Sequence, residues 1–305
     1  MREGRKALTA GKKTAVSDIA FQTVNYTLLI LLMAACIYPF YYIFIYSISD
    51  SKMAMTGITL IPKGFTLVSY SKVFVIEGIG NGALISVART VLGTALTVFV
   101  CSLFAYLMTL QQFPLRKVFY RYLIITLYFN AGLIPWYIWM RQLHLNNNFL
   151  LYILPGAVNA FYIILMKTYF EQLPKSLEES AKIDGAGYFT IYWKIIIPTS
   201  TSIIATIAVF TAVDQWNSWF DNYILVSDKK LNTLQYLLYN YITSASALSR
   251  QSGMEINRGG ANAVYMTPDT VRMTITMVIT FPILCVYPFL QKYFVKGIML
   301  GAIKG

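Results

Sequence analysis

The sequence predicts an all-α polytopic membrane protein with six transmembrane helices. Three observations carry that expectation. Of 305 residues, 57% are hydrophobic and only 12% are charged, about half the roughly 25% of a soluble domain. The apolar residues gather into long continuous runs, each about 20 residues or more, enough to cross about 30 Å at 1.5 Å per residue. The short segments between the runs hold most of the Lys and Arg. Barrel strands would be shorter and would alternate.

The net charge of +12 forms no single dense patch. It therefore does not point to nucleic acid and instead fits Lys and Arg retained at the cytoplasmic side of a membrane. Cys36, Cys101 and Cys285 lie inside apolar runs without paired spacing, so buried free thiols are expected, with no disulfide framework or metal site. The single His144 has no Cys or carboxylate cluster beside it.

Taken in order, residues 1–19 carry Arg2, Arg5, Lys6, Lys12 and Lys13 and read as a cytoplasmic tail. The six-helix domain is expected over 20–295. Its first span runs from about Phe21 to Ile48. Met33-Ala34-Ala35-Cys36 resembles a lipoprotein cleavage site, but apolar residues continue straight after it and the run is too long for a signal core. The second span is expected over Ala83–Leu110, the third over Tyr120–Met140 and the fourth over Phe149–Phe170. A polar island, Pro174–Pro198, follows. The fifth span is expected over Ile197–Val226, and the sixth over Val271–Tyr293. The Ser227–Asp269 loop, rich in Ser, Asn, Gly and Gln, is expected to be the least ordered segment and extracytoplasmic. Residues 296–305 form a short basic cytoplasmic tail. With both termini inside, the inside segments hold 15 of the 25 Lys and Arg, and the island falls in the cytoplasm.

Within the island, Ser176 and Glu179 have the spacing of a capping box, which starts a helix near Leu177. Gly185 and Gly187 supply stops about two turns later. A second helix through Tyr188, Ile191, Tyr192 and Ile195 bends near Pro198. The product is a short surface helix joined through a glycine bend to a membrane span. Its small Ser180, Ala181 and Gly185 let another backbone approach, and Glu178, Glu179 and Asp184 offer charge for pairing. The residues alone equally allow a capped amphipathic connector.

The fifth span carries the densest polar set: Asp214, Gln215, Trp216, Asn217, Trp219, Asp221 and Asn222. At 100° per residue, Asp214, Asn217 and Asp221 share a face. Trp216 and Trp219 can stack on sugar rings, so a substrate strip is one reading. An interfacial aromatic belt is the other. Asn130 and Asn159 are expected to bond between helices. Arg89 either pairs with a carboxylate or reaches the interface.

Glu179-Ser180-Ala181, then Gly185, then Ile195-x-Ile197-Pro198 resembles the EAA-x3-G-x9-I-x-LP signature of bacterial ABC importer permeases, with Ser180 and Ile197 as mild departures. Ile183-Asp184-Gly185-Ala186, Trp216-Asn217 and the closing Gln291–Gly297 run resemble the MalG-like carbohydrate importers, the inner-membrane components of binding-protein-dependent transport. Gly132–Pro135 and Leu154–Ala157 resemble the LplC/YtcP branch, associated with complex oligosaccharides. The similarity covers nearly the whole chain and is weakest over 1–20 and 227–265.

The resemblance implies a type I importer fold in a bacterial cell membrane. It implies that Glu179 pairs with a cytoplasmic ATPase dimer, that Ser180 and Ala181 pack in its cleft beside Asp184, and that Gly185 permits the bend. The other partners it implies are a second homologous permease subunit forming a heterodimer, an extracytoplasmic substrate-binding lipoprotein and an oligosaccharide substrate. ATP and Mg belong to the ATPase. This sequence has no phosphate-binding G-x-x-x-x-G-K-[ST] loop, and no catalytic role or cofactor is expected in the chain itself. The alternative is a self-sufficient secondary transporter using Asp214 and Asp221, although no inverted repeat is visible. A polytopic enzyme would need an acid, base or metal constellation that no loop contains.

Overall fold

The computed structural model describes residues 2–57, 60–251, 267 and 269–285, with side chains described for 18–57, 60–243, 267 and 269–285. Apart from one isolated antiparallel bridge, Ser49 to Phe65, the described residues contain no strand pairing. The chain divides into two units: 1–71 with 259–277, and 72–258 with 278–305.

In the first unit, α1 (Arg2–Ser47) contains the expected first span and continues through the basic tail without a break. Its 18–47 portion is long and apolar enough to cross a membrane. Pro39 lies inside it. The buried residues Ile45 to Ser49 anchor its end. Ser47 Oγ shares a hydrogen bond with Tyr70 Oη at 2.7 Å, and Ser49 Oγ donates to Ile45 O at 2.6 Å. Asp50 then caps the one-turn α2 (Ser51–Ala54), accepting from the Lys52 and Met53 amides. Next comes α3 (Val68–Val75), whose first four residues belong to this unit and the rest to the second.

The second unit is organised on α4 (Ile79–Thr109), a 31-residue helix with no internal interruption. Gly82, Ser86, Arg89, Gly93, Thr97, Cys101 and Ala105 are all buried. Their steps of three and four keep them on one stripe. Several are small, which lets neighbouring backbone come close. The Cys101 Sγ, for example, lies 3.6 Å from the Ala157 carbonyl oxygen. α4 packs chiefly against α7 (Ala160–Phe170) and α11 (Thr201–Asn217).

The third, fourth and fifth spans are broken where the sequence suggested continuous runs. The third divides into α5 (Arg116–Tyr128) and α6 (Leu133–Gln142). Asn130 makes the break, accepting from the Gly132 amide at 2.8 Å, and Gly132 takes φ +85°. The fourth begins as a 3-10 turn, Phe149–Tyr152, and becomes α-helical only at α7. Asn159 caps α7 by accepting from the Tyr162 amide at 3.2 Å. Asn130 and Asn159 therefore serve local backbone rather than bonding between helices, because short amide side chains compete for nearby N–H groups. The fifth span contains an 82° bend between Tyr188–Thr199 and Thr201–Asn217. It breaks again before α12 (Phe220–Leu225).

The 227–269 loop is not wholly irregular. A 3-10 turn at Lys229–Leu231 leads into α13 (Leu234–Gln251), an 18-residue helix. Polar composition hid it, since its apolar residues recur only on one face. A last helix, α14, covers 269–285. The rest of the sixth span, the Gln291–Gly297 run and the tail 296–305 lie outside the described residues. Of the thiols only Cys101 is buried; Cys36 and Cys285 are exposed, because an apolar run on a membrane helix need not face protein.

Candidate coupling and substrate sites

The polar island folds as a helix, a glycine turn and a second helix. α8 spans Lys175–Ile183, with Pro174 as its N-cap and no side-chain cap. The helix therefore begins before the expected Leu177, and Ser176 sits within its first turn instead of capping it. Pro174, at φ −59°, already fixes the chain for helix entry. Glu178 lies in the first turn and Lys182 in the last, 3.6 Å apart at i, i+4. Both signs suit the helix dipole.

The exit is a Schellman motif. The Ala186 amide donates to Ala181 O at 2.9 Å and the Gly185 amide to Lys182 O at 3.1 Å. The first is the 6→1 bond and the second the 5→2 bond of that motif. Gly185 takes the required left-handed conformation, φ +80°. Residue Ala181 is buried and belongs to the core around Tyr106, Met166 and Ile191. Glu179, Ser180, Ile183 and Asp184 are exposed, while Glu178 is half-buried. The triplet is thus split: Glu179 and Ser180 face outward and Ala181 packs into its own subunit.

After Gly187, α9 (Tyr188–Ile191) runs into a π-helical turn, Tyr192–Ile196, and α10 (Ile197–Thr199). The Ile197 amide bonds to Tyr192 O, five residues back. Pro198 follows at once and cannot donate, so the widened turn relieves its clash with the preceding carbonyls. Ile195 and Ile197 are half-buried, Ile196 is buried and Pro198 is exposed.

This segment is tied to the Thr109 end of α4. The Tyr192 hydroxyl shares a 2.7 Å hydrogen bond with Ser102 Oγ, and its ring meets Tyr106 at 5.7 Å. Trp193 stacks on Phe99 at 6.2 Å. Tyr188 Oη donates to Gln112 Oε1 across a groove of roughly 530 Å³ between α8 and the turn that follows α4.

The five expected substrate residues do not form one strip. The Ser218–Trp219 break re-aims Asp221, which makes a bidentate pair with Arg89 at 3.0 and 2.5 Å. Arg89 also donates to Gln215 Oε1 at 2.9 Å and Ser218 O at 3.2 Å, and its guanidinium stands 4.7 Å from the centroid of the Tyr152 ring. Only 4% of the Arg89 side chain is exposed, so Asp221 is its obligatory counter-ion. Asp214 is exposed but accepts from Tyr162 Oη at 2.7 Å. Trp216 donates from Nε1 to Ile279 O at 3.2 Å, and Asn217 accepts from Gln235 Nε2 at 3.2 Å. Trp219 stacks on Tyr239, with centroids 4.1 Å apart and planes 17° from parallel.

No protein-family model matches the chain. The polygalacturonan/rhamnogalacturonan transport system permease protein YtcP of Bacillus subtilis (strain 168) is 34% identical over 287 residues, covering 93% of this chain and 98% of the relative. The protein LplC of the same organism is 36% identical, covering 89% of this chain and 90% of LplC. The chain belongs to the sugar-importer permeases of ABC transporters. A crystal structure of a bacterial ABC transporter involved in the import of the acidic polysaccharide alginate matches with a TM-score of 0.80 and 32% identity, over 91% of this chain and 98% of that one.

The relatives are transport permease components, not enzymes. These relatives give no support to an ion-driven transporter built on Asp214 and Asp221, and Asp221 is already committed to Arg89. The residues that sequence reasoning did not assign to any site are Ser102, Tyr152, Tyr192 and Gln215. Ser102 and Tyr152 sit in apolar runs and look like core until their hydroxyl partners are known, whereas Tyr192 lies in the island and Gln215 in the polar set of the fifth span, with partners that only the fold supplies. Arg89 carried a signal, a lone cation inside a span, but its partner depended on the break at Ser218.

Proposed function

We propose that this permease forms half of a transmembrane pathway for an oligosaccharide, uronate-bearing in the first instance. An extracytoplasmic binding protein delivers the sugar, and a cytoplasmic ATPase dimer, holding ATP and Mg, drives its passage. A second, homologous permease completes the pathway. The observation that carries the coupling is α8, a dipole-complemented surface helix that ends on Gly185 with Glu179, Ser180, Ile183 and Asp184 turned outward. The acidic substrate class is supported by the polygalacturonan/rhamnogalacturonan and alginate transport of the relatives.

In this reading both termini and 174–198 are cytoplasmic, the 227–269 segment is extracytoplasmic and the protein sits in the bacterial cell membrane. ATP closure shifts α8, and with it the balance between two arrangements of the spans. Glu179 pairs with a cation of the ATPase. Ser180 lies in the same contact, whereas Ala181, Ile195 and Ile197 hold the segment to its own core and Pro198 sets the bend. Asp214 and Asn217 are the substrate contacts most open to exchange, since both residues are exposed and each accepts from one side chain, Tyr162 and Gln235 respectively. Trp216, Trp219 and Asp221 shape the pathway from behind.

The test is uptake by proteoliposomes containing both permeases and the ATPase, with the binding protein added outside. Labelled trigalacturonate should accumulate only with ATP inside, and maltotriose should not. Glu179→Lys should abolish uptake while leaving the assembled complex intact. Accumulation without ATP, or normal uptake by Glu179→Lys, would overturn the coupling reading.

A further inference from the structure

We infer that α4 and the 218–234 segment move as one body during the transport cycle, and that Arg89 is the positioning residue that clasps them. This rests on the transport reading above.

Residues 218–234 form a cap over the Ile79 end of α4. The chain enters the cap through an extended residue, Ser218, at ψ 130°, and the helical ladder of α11 ends there, with the Ser218 amide on Asp214 O. Two sets of bonds hold the cap: Asn147, which donates its amide to Leu225 O and accepts at Oδ1 from the Ser227 and Asp228 amides, and side chains of α4. Asn81 Nδ2 donates to Lys230 O at 2.5 Å, and the Leu234 amide donates to Ser86 Oγ at 2.9 Å. At Gly82 an added Cβ would lie 3.4 Å from Asn232 O, so cap backbone approaches the helix closely. Arg89 then grips both sides of the break, the Ser218 carbonyl and the Asp221 carboxylate, while Nε holds Gln215 on α11. Tyr152 closes the cluster, with its ring on Arg89 and its hydroxyl bonded to Leu231 O at 2.7 Å.

The opposite end of the same helix holds the coupling segment through Ser102 and Tyr192. α4 is unbroken between these attachments, while the third, fourth and fifth spans are each interrupted. A movement imposed at Tyr192 can therefore reach the cap through a single rigid helix. A bidentate arginine–carboxylate pair fixes orientation as well as distance, which a lone hydrogen bond at the break would not.

The experiment places spin labels at Leu84 on α4 and Lys229 in the cap, both exposed, with Cys36 and Cys285 replaced by Ser. It is run on the full complex, without nucleotide and with ATP and vanadate. The expected result is one narrow distance distribution that stays the same in both states. The double variant Arg89→Met/Asp221→Leu removes both charges and replaces them with apolar side chains, a change that buried pairs tolerate. It should retain basal ATP hydrolysis, broaden the distance distribution, and lose at least about fivefold of the hydrolysis that the binding protein stimulates, the scale of an ordinary coupling energy. A wild-type distance that shifts with ATP overturns the inference. So does a double variant with an unchanged distance and full stimulation. A wild-type complex without ATP-driven uptake overturns the transport reading itself, and this inference with it.

Discussion

Replacing Gly185 tests the physical role of the glycine in the island directly. Gly185→Ala puts a Cβ on a residue at φ +80°, with no neighbouring atom within 4 Å of the added carbon. Steric collision therefore contributes nothing, and the whole effect is backbone. A left-handed conformation costs a non-glycine residue about 1–2 kcal/mol. The reduced freedom of the opened chain returns about 0.4–1 kcal/mol. The net, about 0.8 kcal/mol at the middle of these ranges and at most about 1.6, raises local opening of the α8 end by about 4-fold and at most about 15-fold. Gly185→Asn should fall within about twofold of the wild type, since Asn tolerates this conformation. Amide hydrogen exchange at residues 185 and 186, whose N–H groups make the two Schellman bonds, reads the opening. Uptake in proteoliposomes should follow the same order: glycine, asparagine, alanine. Equal protection in the alanine variant and the wild type, or an asparagine variant as open as alanine, would refute this account of Gly185.

Other substitutions separate neighbouring roles. Ala181→Leu should destabilise the permease by about 1–3 kcal/mol through overpacking, whereas Ser180→Ala, on the exposed face, should stay within about 0.5 kcal/mol; thermal unfolding in detergent distinguishes them. Tyr192→Phe removes only the hydroxyl bonded to Ser102 and should cost about 1 kcal/mol. Adding Ser102→Ala should cost little more, and full additivity would show that the bond is not shared. Gly93→Ala would place a Cβ 2.7 Å from Gln215 Nε2, forcing that amide off Arg89 at about 1–3 kcal/mol. In a Gln215→Ala background the same change should cost less.

Much of the island could be read before any fold was known. The gapped signature named the family, and Gly185 as a helix stop is a local requirement of chain geometry. The Ser176–Glu179 pair was misleading because a capping box competes with whatever already fixes the chain, and Pro174 had done so. The substrate strip misled for a different reason. Placing Asp214, Asn217 and Asp221 on one face assumes an unbroken helix, and α11 ends at Asn217.

The sequence by itself determined the helical membrane class, the position of the polar island and the family, because these depend on composition, run length and short-range spacing. Tertiary structure decided which spans are interrupted, that Ala181 turns inward, and that Arg89 and Asp221, 132 residues apart, are partners. Those outcomes depend on which groups meet across the fold. In an apolar span an unpartnered polar group is costly, but nothing in the one-dimensional order of residues says which partner it will find.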